Sequence, residues 1–130
     1  MSDEEYPDGL LYHPEHDWAR VEDDTATLGI TWFAQDQLGE LVFFDPPEAG
    51  TKIQKDAAYA EVESVKAVSD VIAPLSGEIL ETNEALGDTP ETVNQDPYGE
   101  GWLVKIRLSE PGEAEQLMDA AAYRQHIGRG

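Results

Sequence analysis

The sequence predicts a mainly β protein with a barrel-like or sandwich core and a helical segment at its C-terminal end. Six or more short runs of strand-forming residues follow one another, with turn-forming residues between them. Only two segments carry helix signals, and both are short or weakly amphipathic. The chain has 130 residues, a length that suits one domain with one sizeable core.

The chain opens with an acidic stretch, residues 1–9, that predicts a flexible lead-in ending in a Pro-Asp-Gly turn. Residues 10–130 then form the single predicted domain. Its first strong signal is a hairpin, with strands over 18–21 and 25–30 joined by a turn of three acidic residues. We expect this hairpin to belong to one of the sheets.

A short helix follows the hairpin. Thr31 is a suitable N-cap for a helix over 32–38, and Gly39 is a suitable residue to end it. The next run, residues 41–44, is apolar and rich in strand formers, and it is too short for a helix. It therefore predicts a further strand.

Three more strands are predicted over residues 57–63, 68–72 and 78–82. Because side chains alternate along a strand, the first of them should present two different faces. One face carries small or aliphatic side chains and the other carries larger or charged ones: Ala58, Ala60 and Val62 against Tyr59, Glu61 and Glu63.

The C-terminal part combines a long loop, a strand and a helical segment. Residues 89–101 are rich in Pro, Asn and Asp and predict the loop, whereas residues 102–108 alternate between apolar and basic side chains. Ser109 is a suitable cap for a helical stretch over 110–127, and Asp119 is suited to cap a second, separate turn within it.

The net charge of −20 is the most unusual feature of the composition, with 28 acidic residues against 8 basic ones. Nucleic acid and anionic membrane surfaces repel such a chain, so neither is an expected partner. Repulsion among so many carboxylates destabilises the compact state in dilute buffer, and salt screens it. We therefore hypothesise adaptation to a salt-rich cytoplasm.

Several classes of site and location are disfavoured. The chain has no cysteine, so disulfides and thiolate sites are excluded. Its three histidines do not show metal-ligand spacing, and we expect no metal site. No apolar run approaches the length of a membrane span, and the N-terminus does not resemble a secretory signal. A cytoplasmic location is the resulting expectation.

Lys66 is the residue best placed to carry chemistry. It lies between two predicted strands, and no Gly, Asn or Pro stands beside it, which is unusual for a hairpin turn. The chain has few lysines, and apolar residues flank this one. Acidic residues bracket the tip on both strands: Glu61, Glu63 and Asp70. An amine at a rigid bend is what a modifying enzyme needs.

The segment around Lys66 resembles the lipoylation segment of the glycine cleavage H proteins. Its attachment motif comprises the residues directly around the lysine: Glu63, Ser64, Val65 and Ala67. The resemblance extends in order over about residues 10–127 and is carried by several further motifs. They are His16-Asp17-Trp18, Gly29-Ile30-Thr31, Ala34-Gln35-Asp36, Leu38-Gly39-Glu40, Ser76-Gly77-Glu78, Asn83 with Leu86, Asn94, Pro97-Tyr98-Gly99 and Gly101-Trp102-Leu103.

The resemblance implies a barrel-sandwich hybrid of the lipoyl/biotinyl type, built from two small antiparallel sheets, with Lys66 at a hairpin tip. It implies that Lys66 carries lipoic acid through an amide, added by a lipoyl-attaching enzyme. It also implies a non-catalytic carrier that moves an aminomethyl group between enzymes. These are a pyridoxal-phosphate glycine decarboxylase, an aminomethyltransferase that uses tetrahydrofolate, and a dihydrolipoyl dehydrogenase.

In this family the loaded arm folds back into a cleft, and the resemblance maps the cleft residues to Asp17, Phe33 and Asp70. Two of them depart from the family pattern. Asp17 stands where a glutamate is common, and Phe33 stands where a histidine is common. A phenyl ring packs on the arm's hydrocarbon, but it cannot form a hydrogen bond with an amine. Core packing is an equally good interpretation of Phe33.

Four alternatives stay open at this point. The first is a lipoyl domain of a 2-oxo acid dehydrogenase complex, which usually has Asp-Lys-Ala at the tip. The second is a biotin carrier, which favours Met on both sides of the lysine. The third is an H-like protein that mainly donates or relays lipoyl groups. An enzyme is the fourth, but the sequence contains no recognisable catalytic constellation.

Overall fold

The computed structural model describes residues 6–128, and within that range it contains nine strands and three α-helices. The strands are β1 (Leu11–His13), β2 (Asp17–Glu22), β3 (Thr25–Ile30), β4 (Leu41–Asp45), β5 (Lys52–Ile53), β6 (Ala58–Ser64), β7 (Val68–Ile72), β8 (Gly77–Thr82) and β9 (Val104–Leu108). The helices are α1 (Trp32–Leu38), α2 (Thr92–Gln95) and α3 (Ala120–His126). Two 3₁₀ turns cover Glu84–Gly87 and Pro111–Gln116. Of the helices in this range, none is long and apolar enough to cross a membrane.

The strands form two antiparallel sheets, which confirms the predicted fold class. The larger sheet has six strands in the order β1-β2-β3-β9-β8-β5, and the smaller has three in the order β4-β6-β7. The tight β2–β3 and β6–β7 hairpins pair neighbours in the chain, whereas β9 lies between β3 and β8. The smaller sheet carries the predicted lysine hairpin.

Two clusters of buried side chains hold the domain together. The main core contains aliphatic residues from both sheets, and several are almost completely buried: Leu28, Val62, Leu75, Ile79 and Ile106. The second cluster is aromatic and joins the N-terminal strands to α3: Tyr6, Tyr12, Trp18, Tyr98 and Tyr123. Burying a large side chain stabilises a fold by roughly 1.5–3 kcal/mol, so both clusters contribute substantially.

The predicted flexible lead-in, residues 1–9, includes Tyr6, which the structure places in the aromatic cluster. Tyr6 is completely buried, and Arg124 Nη2 donates to its carbonyl oxygen at 3.0 Å. The hydroxyl of Tyr12 donates to the carbonyl of Pro7 at 2.7 Å. Tyr6 and Pro7 therefore pack on the domain, whereas residues 8–9 are exposed. The rest of the expected lead-in, residues 1–5, lies outside the described residues.

Helix α1 begins and ends as predicted. The side chain of Thr31 accepts a hydrogen bond from the backbone N–H of Ala34 at 3.2 Å, which satisfies one of the free donors of the first turn. Gly39 ends the helix with a φ of 82°, a left-handed value that favours glycine, and its N–H donates to the carbonyl of Gln35. The capping residues recognisable in the sequence therefore mark both ends of the helix.

The predicted alternation along β6 is wrong at its beginning. Tyr59 is buried and Ala58 is exposed, the reverse of the expected arrangement. The pairing of β6 with β7 shifts register between Ala58 and Ala60. Such an irregularity changes which face a residue occupies, so the alternation of the second half does not extend back to Tyr59.

The C-terminal helical stretch is interrupted. Three residues, 117–119, separate a 3₁₀ turn from α3, and Met118 exchanges backbone hydrogen bonds with Tyr12 at 2.8 and 2.9 Å. Asp119 then caps α3 by accepting from the N–H of Ala122 at 2.9 Å. The break occurs because Met118 extends the sheet edge at β1, and Asp119 starts the second turn as the sequence suggested.

Candidate functional site

Lys66 lies at the tip of the β6–β7 hairpin. The last paired residues are Glu63 and Val68, so the lysine is in the connecting turn. Its side chain is exposed and forms no ion pair with any residue in 6–128. The neighbouring Val65 is 71% exposed, which is high for an aliphatic side chain. The structure thus places the amine in solvent, away from both cores.

Ser64 holds the turn together without help from glycine. Its hydroxyl oxygen accepts from the N–H groups of Lys66, at 3.3 Å, and Ala67, at 3.1 Å. Its N–H donates to the carbonyl of Ala67 at 2.7 Å. None of the turn residues has a left-handed φ. The side chain of Ser64 supplies the partners that let this turn form from ordinary residues.

The tip of the hairpin is bonded to the segment that follows α1. Val65 N–H donates to the carbonyl of Glu40 at 3.2 Å. The side chain of Asn94 bonds the same region, accepting from the N–H of Leu41 at 2.9 Å and donating to the carbonyl of Gly39 at 2.8 Å. A Cβ on Gly39 would lie 3.9 Å from Lys66 Cε. The lysine stem therefore runs beside the C-terminal end of α1.

The role of Ser64 gives a testable prediction. We expect Ser64→Ala to lower the free energy of unfolding by about 1 kcal/mol, because the N–H groups of Lys66 and Ala67 lose their protein acceptor. Amide hydrogen exchange at these two residues should accelerate. Ser69→Ala is the matched control, since the hydroxyl of Ser69 donates only one long bond, 3.3 Å, to the carbonyl of Asp70. Equal exchange in both variants would contradict this role.

A narrow cleft of about 170 Å³ opens between α1, β2 and β7. It contains all three residues that the resemblance mapped to the arm cleft, and they come from three different elements: Asp17, Phe33 and Asp70. The remaining lining is mostly aliphatic or polar: Glu15, His16, Ile30, Ala34, Gln37, Leu38, Val62, Ser69 and Val71. The fold brings these residues together, and α1 runs from the cleft towards the tip of the lysine hairpin.

Asp17 is the most unusual polar group of the cleft. The residue is 1% exposed, and its Oδ2 has no hydrogen-bond partner among the described residues. Burial raises the pKa of Asp17 well above its usual range, and the charge of Glu15 raises it further. Asp70, in contrast, is exposed at the opposite wall. The two carboxyl groups therefore have very different environments.

Phe33 lies in the cleft and also packs on buried side chains, the two placements considered for it from the sequence. Its side chain lines the cleft, and it also packs against the aromatic cluster. The centroid of its ring lies 4.6 Å from that of His16. Phe33 thus supplies an apolar wall, and an imidazole stands directly beside it.

His16 is a cleft residue that sequence reasoning missed. Its Nδ1 lies 2.8 Å from the hydroxyl of Tyr123, which is in turn 2.8 Å from Oγ1 of Thr31. Burial and the nearby His126 lower the pKa of His16, so the ring is neutral near pH 7. His16 has a left-handed φ of 74°, a backbone feature that residue pattern alone does not predict.

Three acidic residues are cross-strand neighbours in the smaller sheet. Asp45 pairs with Glu61, and Glu61 pairs with Asp70, so three exposed carboxylates stand side by side on adjacent strands. Like charges directly opposite one another destabilise a sheet. No residues of the described range form a three-ligand group suited to a metal ion.

The residues present fit a covalently tethered lipoyl group. The Lys66 amine is accessible for an amide bond, and the adjacent cleft offers aliphatic walls for a hydrocarbon arm. The unpartnered Oδ2 of Asp17 is a buried polar atom still able to form a hydrogen bond with a ligand. Two small antiparallel sheets with an exposed lysine at a hairpin tip make that lysine accessible to other proteins. The fold and the hairpin place the chain among the lipoyl- and biotin-carrying domains.

Comparison with known proteins identifies the family. The family model for the glycine cleavage H-protein matches residues 10–129. The glycine cleavage system H protein of Halorhodospira halophila is 54% identical over 122 residues, covering 93% of this chain and 94% of the relative. That of Symbiobacterium thermophilum is 52% identical, covering 90% and 91%.

A solved structure agrees with this result. The crystal structure of a glycine cleavage system H protein from Mycobacterium marinum superimposes with a TM-score of 0.87 at 38% identity, covering 94% of this chain and 98% of that one. The chain belongs to the glycine cleavage H-protein family. Members of this family are non-catalytic carriers that bear a lipoate on a lysine, so the predicted family, fold, carrier role and cofactor are confirmed.

Proposed function

We propose that Lys66 is the residue of this chain that bears the lipoyl group, joined by an amide to Nζ. The observation that carries the proposal is the position of this amine, exposed at a hairpin tip and without an ion pair in the described part of the chain. The other described lysines do not occupy such a tip: Lys52 and Lys105 lie on strands, and Lys55 contacts Asp56 at 3.2 Å.

The attachment motif supports this role through its rigidity. Ser64 and its neighbours fix the turn, so a lipoyl-attaching enzyme meets the amine in one geometry. Glu63 is exposed on the strand that leads to the tip, and Val65 and Ala67 flank the lysine in solvent. These exposed residues supply a surface for that enzyme to contact.

The family works in the glycine cleavage system with glycine decarboxylase, aminomethyltransferase and dihydrolipoyl dehydrogenase. The lipoyl group supplies the sulfur chemistry when it is attached. The protein's own contribution is to hold the arm at one known place and to present it to each enzyme in turn. In this chain we assign the presentation to the β6–β7 hairpin.

We further propose that Asp17, Phe33 and Asp70 shelter the loaded arm. Phe33 and the aliphatic walls suit the hydrocarbon part of the arm, and the carboxyl groups suit the amine of the cargo. The arm starts close to the cleft, because the Lys66 stem runs beside the C-terminal end of α1 and α1 forms one wall of the cleft.

Mass spectrometry of the intact protein tests the attachment. One added lipoyl group is expected, and a proteolytic peptide that contains Lys66 should carry it. The purified lipoyl protein should then accept an aminomethyl group from glycine in the presence of glycine decarboxylase. Transfer of an acyl group from a 2-oxo acid dehydrogenase, without any transfer from glycine, would favour the dehydrogenase alternative. Lipoyl donation to other proteins as the main activity would favour the H-like relay.

The acidic surface supports a second, independent proposal, adaptation of the chain to a salt-rich cytoplasm. The row formed by Asp45, Glu61 and Asp70 places like charges on neighbouring strands, an arrangement that salt screens. At 1 M salt the Debye length is about 3 Å, shorter than the spacing between adjacent strands. The cytoplasmic location itself stays a prediction.

We expect the melting temperature of the protein to rise between low and molar salt, and Glu61→Gln to reproduce part of that rise in dilute buffer. Removing the central charge of the row relieves two repulsions, each worth a few tenths of a kcal/mol. The variant's advantage should vanish in molar salt. Glu84→Gln, which changes an exposed charge outside the sheets, serves as control. A melting temperature that is independent of salt would exclude the adaptation.

A further inference from the structure

An apolar patch surrounds Lys66 on the surface of the smaller sheet and its hairpin tip. Four exposed side chains form this patch: Val42, Phe43, Val65 and Val68. Phe43 is 55% exposed and Val68 is 57% exposed, although both belong to residue types that usually pack inside. Of the large hydrophobic side chains in the described range, only Val21 and Leu80 are also exposed, and both lie in the larger sheet.

The strand pairing of the smaller sheet assembles the patch. Phe43 pairs with Glu63, and Glu63 pairs with Val68, so the three residues are direct neighbours across β4, β6 and β7. Directly opposed residues of an antiparallel pair share one face of the sheet. The register of β4 shifts between Leu41 and Phe43, an irregularity that leaves the consecutive residues Val42 and Phe43 both exposed. The fold thus exposes two apolar side chains where regular alternation would bury one.

The chemistry at Lys66 indicates which partner covers the patch. Contiguous exposed apolar surface marks an interaction site. An attaching enzyme must bring an activated lipoyl group to Nζ. The amine attacks the carbonyl carbon, the activating group leaves with the electron pair of its bond, and the nitrogen loses a proton. The enzyme surface therefore closes around the hairpin tip. Enzymes that act on the sulfur end of the arm meet their target an arm's length from Lys66 and have no such requirement.

We propose that this apolar patch is the docking surface of the lipoyl-attaching enzyme, which covers it with an apolar mouth bordered by basic residues. The inference rests on the proposed function, since it takes Lys66 as the attachment residue. Phe43 and Val68 are the anchors, because they stand on adjacent edges of one sheet face and bury the most new apolar area on contact.

The basic border follows from the charges behind the patch. Asp45, Glu61 and Asp70 are paired across the same three strands, two residues further from the tip than Phe43, Glu63 and Val68. All three carboxylates are exposed. A partner that covers the apolar patch meets these charges at its edge, and positive side chains complement them. A second copy of this chain does not suit the surface, because each copy carries a net charge of −20.

Binding measured without turnover tests the docking surface. The Lys66→Arg chain, which cannot be acylated, is titrated with a lipoate–protein ligase. In this background we expect Phe43→Thr to raise the Kd about tenfold and Val68→Thr about threefold, because each removes apolar area that the complex buries. Leu80→Thr and Val21→Thr are matched controls at exposed positions of the larger sheet, and their Kd should stay within about twofold. If Phe43→Thr lowers the melting temperature strongly, Val68→Thr carries the test.

Unchanged Kd values in both patch variants would overturn the proposal. The same holds if the variants weaken binding to glycine decarboxylase and leave binding to the ligase intact, because the patch would then serve an enzyme that acts at the far end of the arm. Glu61→Gln should weaken the ligase complex in dilute buffer and have little effect in molar salt. The absence of any effect in dilute buffer would contradict the basic border.

Lipoylation of chains that retain Lys66 separates this inference from the function on which it rests. The ligase, supplied with lipoate and ATP, should modify the Phe43→Thr chain more slowly than the unaltered chain at limiting concentration, and at the same residue. A lipoyl group on Lys66 that is added equally fast to both chains would refute the docking surface alone. Absence of lipoyl from Lys66 of the unaltered chain would instead refute the proposed function, and the titration would still report whether the patch binds the ligase.

Discussion

Lys66→Arg is expected to abolish lipoyl attachment completely and, with it, all transfer of the aminomethyl group. The substitution keeps the positive charge, but a guanidinium is not a nucleophile for amide formation. The folded structure should be unaffected, because the Lys66 side chain is exposed and forms no ion pair in the described range. We expect the free energy of unfolding to change by less than about 0.5 kcal/mol.

Lys52→Arg is the matched control for this experiment, since Lys52 is also exposed and without a described ion pair, but lies on β5. The intact mass of this variant should still include one lipoyl group, and its reconstituted activity should equal that of the unaltered protein. A lipoyl mass on Lys66→Arg, or its loss from Lys52→Arg, would mean that the attachment residue has been misassigned.

Gly77→Ala should have the largest effect on stability, a loss of about 3 kcal/mol in the free energy of unfolding. Gly77 begins β8 and pairs with Ile53 on one side and Leu108 on the other. A Cβ at this position would lie 2.3 Å from the carbonyl oxygen of Arg107. Backbone on a paired strand cannot move aside as a side chain can, so the β8–β9 ladder must separate locally.

Thermal unfolding measures this effect, and a decrease in melting temperature of roughly 10 °C is expected for a domain of this size. Gly87→Ala is the control, because no atom lies within 4 Å of a Cβ placed on Gly87. Its melting temperature should stay within a few degrees of the unaltered protein. A tolerated alanine at position 77 would show that the two strands can shift apart at little cost.

Features that depend on nearby residues were predictable from the sequence. The capped helix between Thr31 and Gly39 follows from two local backbone requirements. The position of Lys66 at a hairpin tip follows from its place between two strand-forming runs that are close together in the chain and pair with each other. The start of a separate helix after Asp119 was also predictable, because Asp119 is a capping residue within a weak helical pattern.

Other features were decided by contacts between distant parts of the chain. Tyr59 points into the core because the β6–β7 pairing shifts register, and Tyr6 is buried because α3 and its neighbours provide an aromatic site. Neither depends on the residues adjacent in sequence. Periodicity reports what a segment is able to bury, whereas the packing of the other elements decides where it does so.

The candidate site shows the same division. The sequence by itself determined the family, the fold class and the lysine at the hairpin tip, because each depends on a local motif or on a set of ordered motifs. Only the tertiary structure showed that Asp17 is buried without a partner for Oδ2 and that His16 lines the same cleft. Burial and electrostatic environment are sums over neighbours from several elements, so a linear pattern of residues does not contain them.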